Sequence, residues 1–241
     1  INFTVVFSEP VTGFATGDVT LSGTAGATTA VVTPVGTGTT FNVAVSGMTA
    51  SGTVIANIAA SIATDLAGND NFASSSTDNE VTYDITRPTV TVEQAVGQAD
   101  PTNLSPIHFT VTFDKPVTGF TAADVILSSG TATVTPTSST VYDISVAGMS
   151  QGVLTASVPA GAAIDAVGNT NTASTSADNR VIYDTIAPTV TINQALGQPD
   201  PTNVSPIHFT VTFSEQVIGF TAADVTLSSG TATVTGGPTV Y

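Results

Sequence analysis

The side chains in this sequence best suited to chemistry are carboxylates and carboxamides that recur at fixed places. Asp65 and Asn69 lie in DLAGN, and Asp165 and Asn169 in DAVGN, with Asn171 two positions further on. Asp84 and Asp184 close VTYD and VIYD, Asp114 and Glu215 follow the FTVTF runs, and Asp100 opens a DPTN segment. Clustered oxygen donors with few competing cations suit Ca²⁺, which takes about 6 to 8 oxygen ligands at roughly 2.3–2.6 Å. The same residues also suit turns, because Asp and Asn bond the local backbone and Gly supplies a positive φ. The residues alone leave both readings open.

Other chemistry is poorly supplied. Two His, no Cys and no Gly-rich phosphate loop leave no nucleophile–base pair, so the expectation is that the chain is not an enzyme. His108 and His208 occupy equivalent positions, but Asn2 stands there in the first copy, and an exposed strand position accounts for all three. With 18 Asp plus Glu against 3 Lys plus Arg, the formal charge is -15, which repels phosphate backbones and anionic lipid. Neither nucleic acid nor a membrane is an expected partner, and no apolar run is long enough for a transmembrane helix. Intramolecular Lys–Asn cross-links would need a Lys in every copy, and Lys115 is the only one. The sequons at Asn2, Asn103 and Asn203 depend on the host. The outward Thr rows are ordinary exposed strand residues.

Repetition organises these residues. DPTN followed by SPIHFTVTF runs from Asp100 to Phe113 and again from Asp200 to Phe213, an offset of 100. The same offset links RPTVT at Arg87 to APTVT at Ala187, and GFTAADV at Gly119 to Gly219. INFTVVF at Ile1 and GFATGDV at Gly13 join the series at an offset of 106, the difference lying in a Gly/Thr-rich stretch that reads as a surface loop. Three units follow: 1–86, lacking an opening strand; 87–186, complete; and 187–241, an N-terminal half. The expectation is that the chain continues or that another chain completes the last unit, with any targeting or anchoring segment outside this stretch.

Composition and alternation give the elements. Thr, Ser, Val, Ala and Gly dominate, a mixture that favours strands and small-residue turns over helices. Within 87–186, seven short alternating segments read as strands: from Thr89, Pro106, Asp124, Thr131, Thr140, Val153 and Arg180. In the second, Ile107, Phe109, Val111 and Phe113 share the core face, each contributing roughly 1.5–3 kcal/mol on burial, and His108, Thr110 and Thr112 face outward. Phe14, Phe120 and Phe220 read as plugs closing one end. The predicted fold is all-β: tandem immunoglobulin-like Greek-key β-sandwiches of about 100 residues.

Strand parity then says which loops meet. The loops after the second and sixth strands lie at the pole next to the preceding unit, which gathers Asp84, Asp114, Asp165, Asn169 and Asn171. The loop with Asp100 lies at the opposite pole, facing the next junction with Asp184 and Glu215.

FSEPVTGF at Phe7, DLAGN at Asp65, DAVGN at Asp165 and the YDxTxPTVT pattern around Asp84 and Asp184 resemble the bacterial Ig-like repeats of very large surface proteins and adhesins, over the whole chain. The resemblance implies an extracellular, cell-surface stalk or filament shaft whose partners are neighbouring repeats, with Ca²⁺ near the linkers but no fixed ligand set. Two alternatives are a self-assembling fibre subunit completed by strand exchange with like chains and a carbohydrate-binding accessory module.

Overall fold

Alternation of apolar and polar residues sets which side chains are enclosed. Ile107, Phe109, Val111 and Phe113 are buried, and His108, Thr110 and Thr112 between them are not. A computed structural model describes all 241 residues. The protein is all-β, with several small antiparallel sheets. Six strands lie in 1–86: β1 (Asn2–Val6), β2 (Val19–Ser22), β3 (Thr29–Val35), β4 (Thr40–Ser46), β5 (Gly52–Ile58) and β6 (Glu80–Tyr83). Seven lie in 87–186: β7 (Val90–Gln94), β8 (Ile107–Phe113), β9 (Ile126–Leu127), β10 (Thr131–Pro136), β11 (Val141–Ala147), β12 (Gly152–Ser157) and β13 (Arg180–Tyr183). The remainder holds β14 (Val190–Gln194) and β15 (Phe209–Phe213).

These seven strands fall where alternation expects them, except that the third is cut to two residues. Asp124, where that strand is expected to begin, instead ends a 3-10 turn, Ala122–Asp124, because its carboxylate accepts from both the Thr121 backbone N–H and the Thr121 hydroxyl at 2.8 and 2.7 Å. A polar residue bonding its neighbours' backbone competes with the ladder.

Strands β10, β11, β8 and β7 form one sheet in that order, and β13, β12 and β9 form a second. Val90, Val92, Phe109, Ile144 and Val146 of the first join Leu154, Ala156 and Val181 of the second in one buried cluster. The two sheets thus face each other across a shared core. In 1–86 the sheets are β1-β4-β3 and β2-β5-β6, around a smaller cluster that includes Phe41, Val43 and Val54. Strand β14 pairs only with β15, whose Val211 also exchanges backbone hydrogen bonds with Tyr241 at 2.9 Å. Val190 and Ile192 stay 56% exposed although Val211, opposite Ile192, is buried, so the apolar face is uncovered along β14.

Phe120 behaves as the expected plug. Its ring is 5.5 Å from Phe113 and 5.1 Å from Tyr142, both edge-on. Phe14 meets Phe7 and Phe41 in the same way, as Phe220 meets Phe213 and Tyr241. Each aromatic trio closes the pole where its DxxGN or linker residues gather. That end is therefore anchored from below by packed rings.

Strand β7 has a second neighbour. The segment Thr172–Asp178, which leads into β13, runs along its outer edge: Thr175 N donates to Val90 O at 3.0 Å, and Gln94 N to Asp178 O at 2.6 Å. The Glu93 carboxylate accepts from Ala177 N and Asp178 N. Both edges of β7 are occupied.

Candidate functional site

The loop after β12 is built by Asp165 and Asn169. Asp165 Oδ1 accepts from Val167 N at 3.1 Å and Asn169 N at 2.9 Å, while Oδ2 accepts from Asn169 Nδ2 at 3.0 Å. Asp65 and Asn69 make the same turn in the first copy, with Asp65 Oδ1 accepting from Ala67 N and Asn69 N at 2.8 Å. The turn reading of DxxGN therefore describes the local geometry at both places.

What differs in the second copy is the contact with the linker. Lys115, two residues past β8, sends its ammonium between Asp84 Oδ2 at 3.1 Å and Asp165 Oδ2 at 3.2 Å, and also donates to Thr86 O at 2.5 Å. Asn169 Nδ2 donates to Asp84 O at 3.2 Å, a contact between residues 85 positions apart. Arg87 donates from Nε to Thr170 O at 2.7 Å and from Nη2 to Asn171 O at 2.6 Å. Linker residues 84–87 are thus tied to the loop after β12 by an ammonium, a guanidinium and a carboxamide.

The charges are partly withdrawn from water. The Asp165 side chain is 4% exposed and that of Lys115 24%. Burial pushes the Asp165 carboxyl up, but the Asn169 hydrogen bonds and Lys115 outweigh it and hold the pKa at about 2. The Thr86 N–H, then Lys115, lowers Asp84. Burial works against the Lys115 charge, yet the bonds to Asp84 and Asp165 raise its pKa from 10.5. All three groups are charged across the physiological range.

The expected first-junction cluster is therefore assembled in part. Asp84, Asp165 and Asn169 come together. Asp114 turns away, its Oδ1 accepting from Thr89 N at 2.9 Å. Asn171 is fully buried inside the loop, where Oδ1 accepts from Ala163 N at 2.8 Å and Nδ2 donates to Pro159 O and Thr172 O. Its oxygen is committed to holding the loop.

At the second junction, Asp184 and Glu215 line one depression with Thr102, Asn103 and Pro188. Asp100 is at the same pole, but its Oδ1 accepts from Ile182 N at 2.8 Å and it does not line the depression. Asp184 Oδ1 accepts from Ile186 N at 3.0 Å and Gln151 Nε2 at 2.5 Å, which lower its pKa. Glu215 Oε1 is enclosed and has no hydrogen-bond partner.

The two junctions differ in fitness for a divalent cation. At the first, the space between Asp84 and Asp165 holds the Lys115 ammonium, and the residues do not fit an added metal. At the second, the orphaned Glu215 oxygen beside Asp184 fits one, since a desolvated carboxylate oxygen calls for a compensating charge. No group of three or more His, Cys, Asp or Glu is placed to hold a metal, so backbone carbonyls and water would have to complete such a shell.

Sequence reasoning missed Lys115 and Arg87 because it assigned the balancing charge to a solute. The available signal was a sign reversal: the position of Lys115 is Glu9 in the first copy and Glu215 in the third. No helix is long and apolar enough to cross a membrane. Comparison with protein-family models, with curated proteins and with solved structures finds no match to the chain.

Proposed function

We propose that the chain is a structural segment of an extracellular bacterial surface protein, a stalk or filament shaft made of immunoglobulin-like sandwiches in series, with units at 1–86, 87–186 and 187–241. The observation that carries this reading is the tie between linker residues 84–86 and the next unit, in which Lys115 bridges Asp84 and Asp165 and Asn169 donates to the Asp84 carbonyl. Support for the fold comes from strand order: a four-strand sheet β10-β11-β8-β7 opposite β13-β12-β9 is the order of a constant-type immunoglobulin domain. Copies at a near-constant offset suit an array whose mechanics are a sum of nearest-neighbour contacts. Ca²⁺ held by Asp184 and Glu215 would supply counter-charge at the second junction and stiffen it.

Small-angle scattering on the whole chain tests the reading. An elongated particle with a narrow distance distribution across the first junction is expected. A collapsed or freely jointed profile would remove the stalk.

The second reading, a fibre completed by strand addition between chains, has its own observation. A groove along the outer edge of β1 is lined by Phe3, Val5, Phe7 and Ser74–Ser76, the counterparts of residues that enclose β7 in the complete unit. A sheet edge of this kind accepts an extended segment with apolar residues at alternate positions. Titrating the labelled chain with the peptide Pro88–Ala95 should shift the amides of Phe3–Phe7 and Ser74–Asn79. Absence of shifts at millimolar peptide would eliminate the fibre route.

A further inference from the structure

Aligned on the strand that precedes it, one position changes sign while its surroundings persist: Glu9, Lys115, Glu215. Asp65 and Asn69 recur as Asp165 and Asn169, and Asp84 recurs as Asp184. A second change accompanies the first, since Arg87 is replaced by Ala187. The chain has only 3 Lys and Arg residues, and two of them sit at this one junction.

We infer that Lys115 is a built-in counter-ion standing where a divalent cation would otherwise bridge Asp84 and Asp165, so that the first junction closes without any solute, while a junction with Glu at this position draws its cation from solution. The inference rests on the reading of the chain as a stalk whose junctions are its working parts.

The geometry supports this at both ends. An ammonium has three N–H donors, and Lys115 directs them at Asp84 Oδ2, Asp165 Oδ2 and Thr86 O. Those acceptors form the kind of oxygen set a Ca²⁺ ion would take. A divalent ion entering there would have to displace the ammonium or lie against its charge. Arg87 binds Thr170 O and Asn171 O, removing two carbonyls from the neutral oxygens left to complete a metal shell. At the next junction the corresponding side chain is a carboxylate, with one enclosed oxygen that nothing in the protein satisfies. Glu215 and Asp184 line the same depression. In the first copy, Glu9 shares a depression with Asp65 and Asn69.

The consequence is an array whose joints respond unequally to divalent cations. Joints with Lys keep their geometry as the cation falls away. Joints with Glu loosen.

The test uses the whole chain, ¹⁵N-labelled and titrated with CaCl₂ to 10 mM, as wild type and as Lys115→Glu, Lys115→Met and Glu215→Lys. In the wild type the amides of Asp84–Arg87 and Val167–Thr170 should not move. Lys115→Glu should show saturable shifts there and bind one more Ca²⁺ per chain by calorimetry. Lys115→Met, which removes the ammonium and leaves Asp84 and Asp165 without a counter-charge, should show saturable shifts at the same amides at higher Ca²⁺ than Lys115→Glu, and Glu215→Lys should bind one fewer than wild type. Saturable Ca²⁺ shifts at those amides in the wild type, or no extra ion in a Lys115→Glu chain whose Phe109 and Ile144 amides keep their native positions, overturn the inference. The wild-type titration decides even where a variant does not fold. Scattering on the same samples keeps the stalk reading separate: a flexible first junction with no Ca²⁺ response refutes the stalk and leaves the exclusion of the ion intact.

Discussion

Asn169 Nδ2 lies 3.2 Å from the carbonyl oxygen of Asp84, to which it donates, and 3.0 Å from the Asp165 carboxylate that shapes its own turn. One carboxamide therefore binds at once its own loop and the segment that follows β6. Lys115 does the same with two carboxylates. Because the local and long-range bonds share atoms, the linker cannot leave without exposing acceptors that the loop needs satisfied.

The first expected outcome concerns stiffness. The protein has no cysteine, so Thr37→Cys and Ser138→Cys give a clean spin-label pair across the first junction. The pair should show a narrow distance distribution by pulsed dipolar spectroscopy. Adding Lys115→Met should broaden it markedly, Asn169→Ala should broaden it less, and Asp114→Ala should leave it unchanged because Asp114 bonds Thr89 within its own unit. Equal widths for all four proteins would mean that the ammonium does not hold the joint.

The acid side follows from the direction of the shifts. Asp165 has a folded pKa of about 2 against an ordinary 3.8, so its contribution is fully present above the ordinary value and is lost as pH falls through the folded one. Asp84 is lowered too, which places its loss in the same acid range. Lys115 is raised above 10.5, so its part is present below that value and is lost only as alkali passes the folded pKa. The spin-label distribution should stay narrow from about pH 4 to pH 10 and broaden between roughly pH 4 and 2. Broadening centred near neutrality would contradict this assignment of charges.

Asn171 gives a prediction about stability without charge. Its side chain satisfies Ala163 N, Pro159 O and Thr172 O while wholly buried. Removing it leaves these groups short of partners, at about 1–3 kcal/mol for each buried group left unmet. Asn171→Ala should therefore destabilise 87–186 by about 3 kcal/mol or more, read as faster native-state hydrogen exchange at Ile144. Asn71→Ala should cost 1–86 less, since Asn71 accepts from Ile62 N and Ala63 N and donates to Ala59 O and Phe72 O but is only partly buried, so water can reach the groups it leaves. A change below about 1 kcal/mol would mean that water replaces the side chain.

The strands were legible because their signal is local: period two in Ile107–Phe113, with Gly and Pro at the ends, leaves little choice of face. Parity likewise places Asp84, Asp165 and Asn169 at one pole without coordinates. What local pattern cannot carry is the direction of an individual polar side chain. Asp114 and Asn171 look like cation ligands in the sequence because their oxygens are near the pole, yet each satisfies a backbone N–H. Lys115 was passed over for a related reason: its value depends on two carboxylates 31 and 50 positions away. The loss of Asp124 from the start of the third strand to a 3-10 turn is a case of Thr121 and Asp124 bonding each other where alternation alone suggests extension.

The aromatic trio beneath the pole offers the sharpest contrast between copies. Phe120 is 8% exposed and belongs to a cluster of 17 buried residues, so Phe120→Ala removes ring contacts that nothing nearby can replace. Large-to-small changes of this kind cost about 3–5 kcal/mol. Phe220 makes an equivalent pair of edge-on contacts, 5.2 Å from Phe213 and 5.0 Å from Tyr241, but Val211 is the one buried core residue in 187–241. Its replacement by Ala should cost well under half as much, because the cavity opens to solvent and collapses. The hydrogen exchange of Ile144 reports the Phe120 variant, and that of Val211 reports the other. Equal losses at the two sites would contradict this reading and show that Phe220 is held by β15 as firmly as Phe120 is by the two facing sheets.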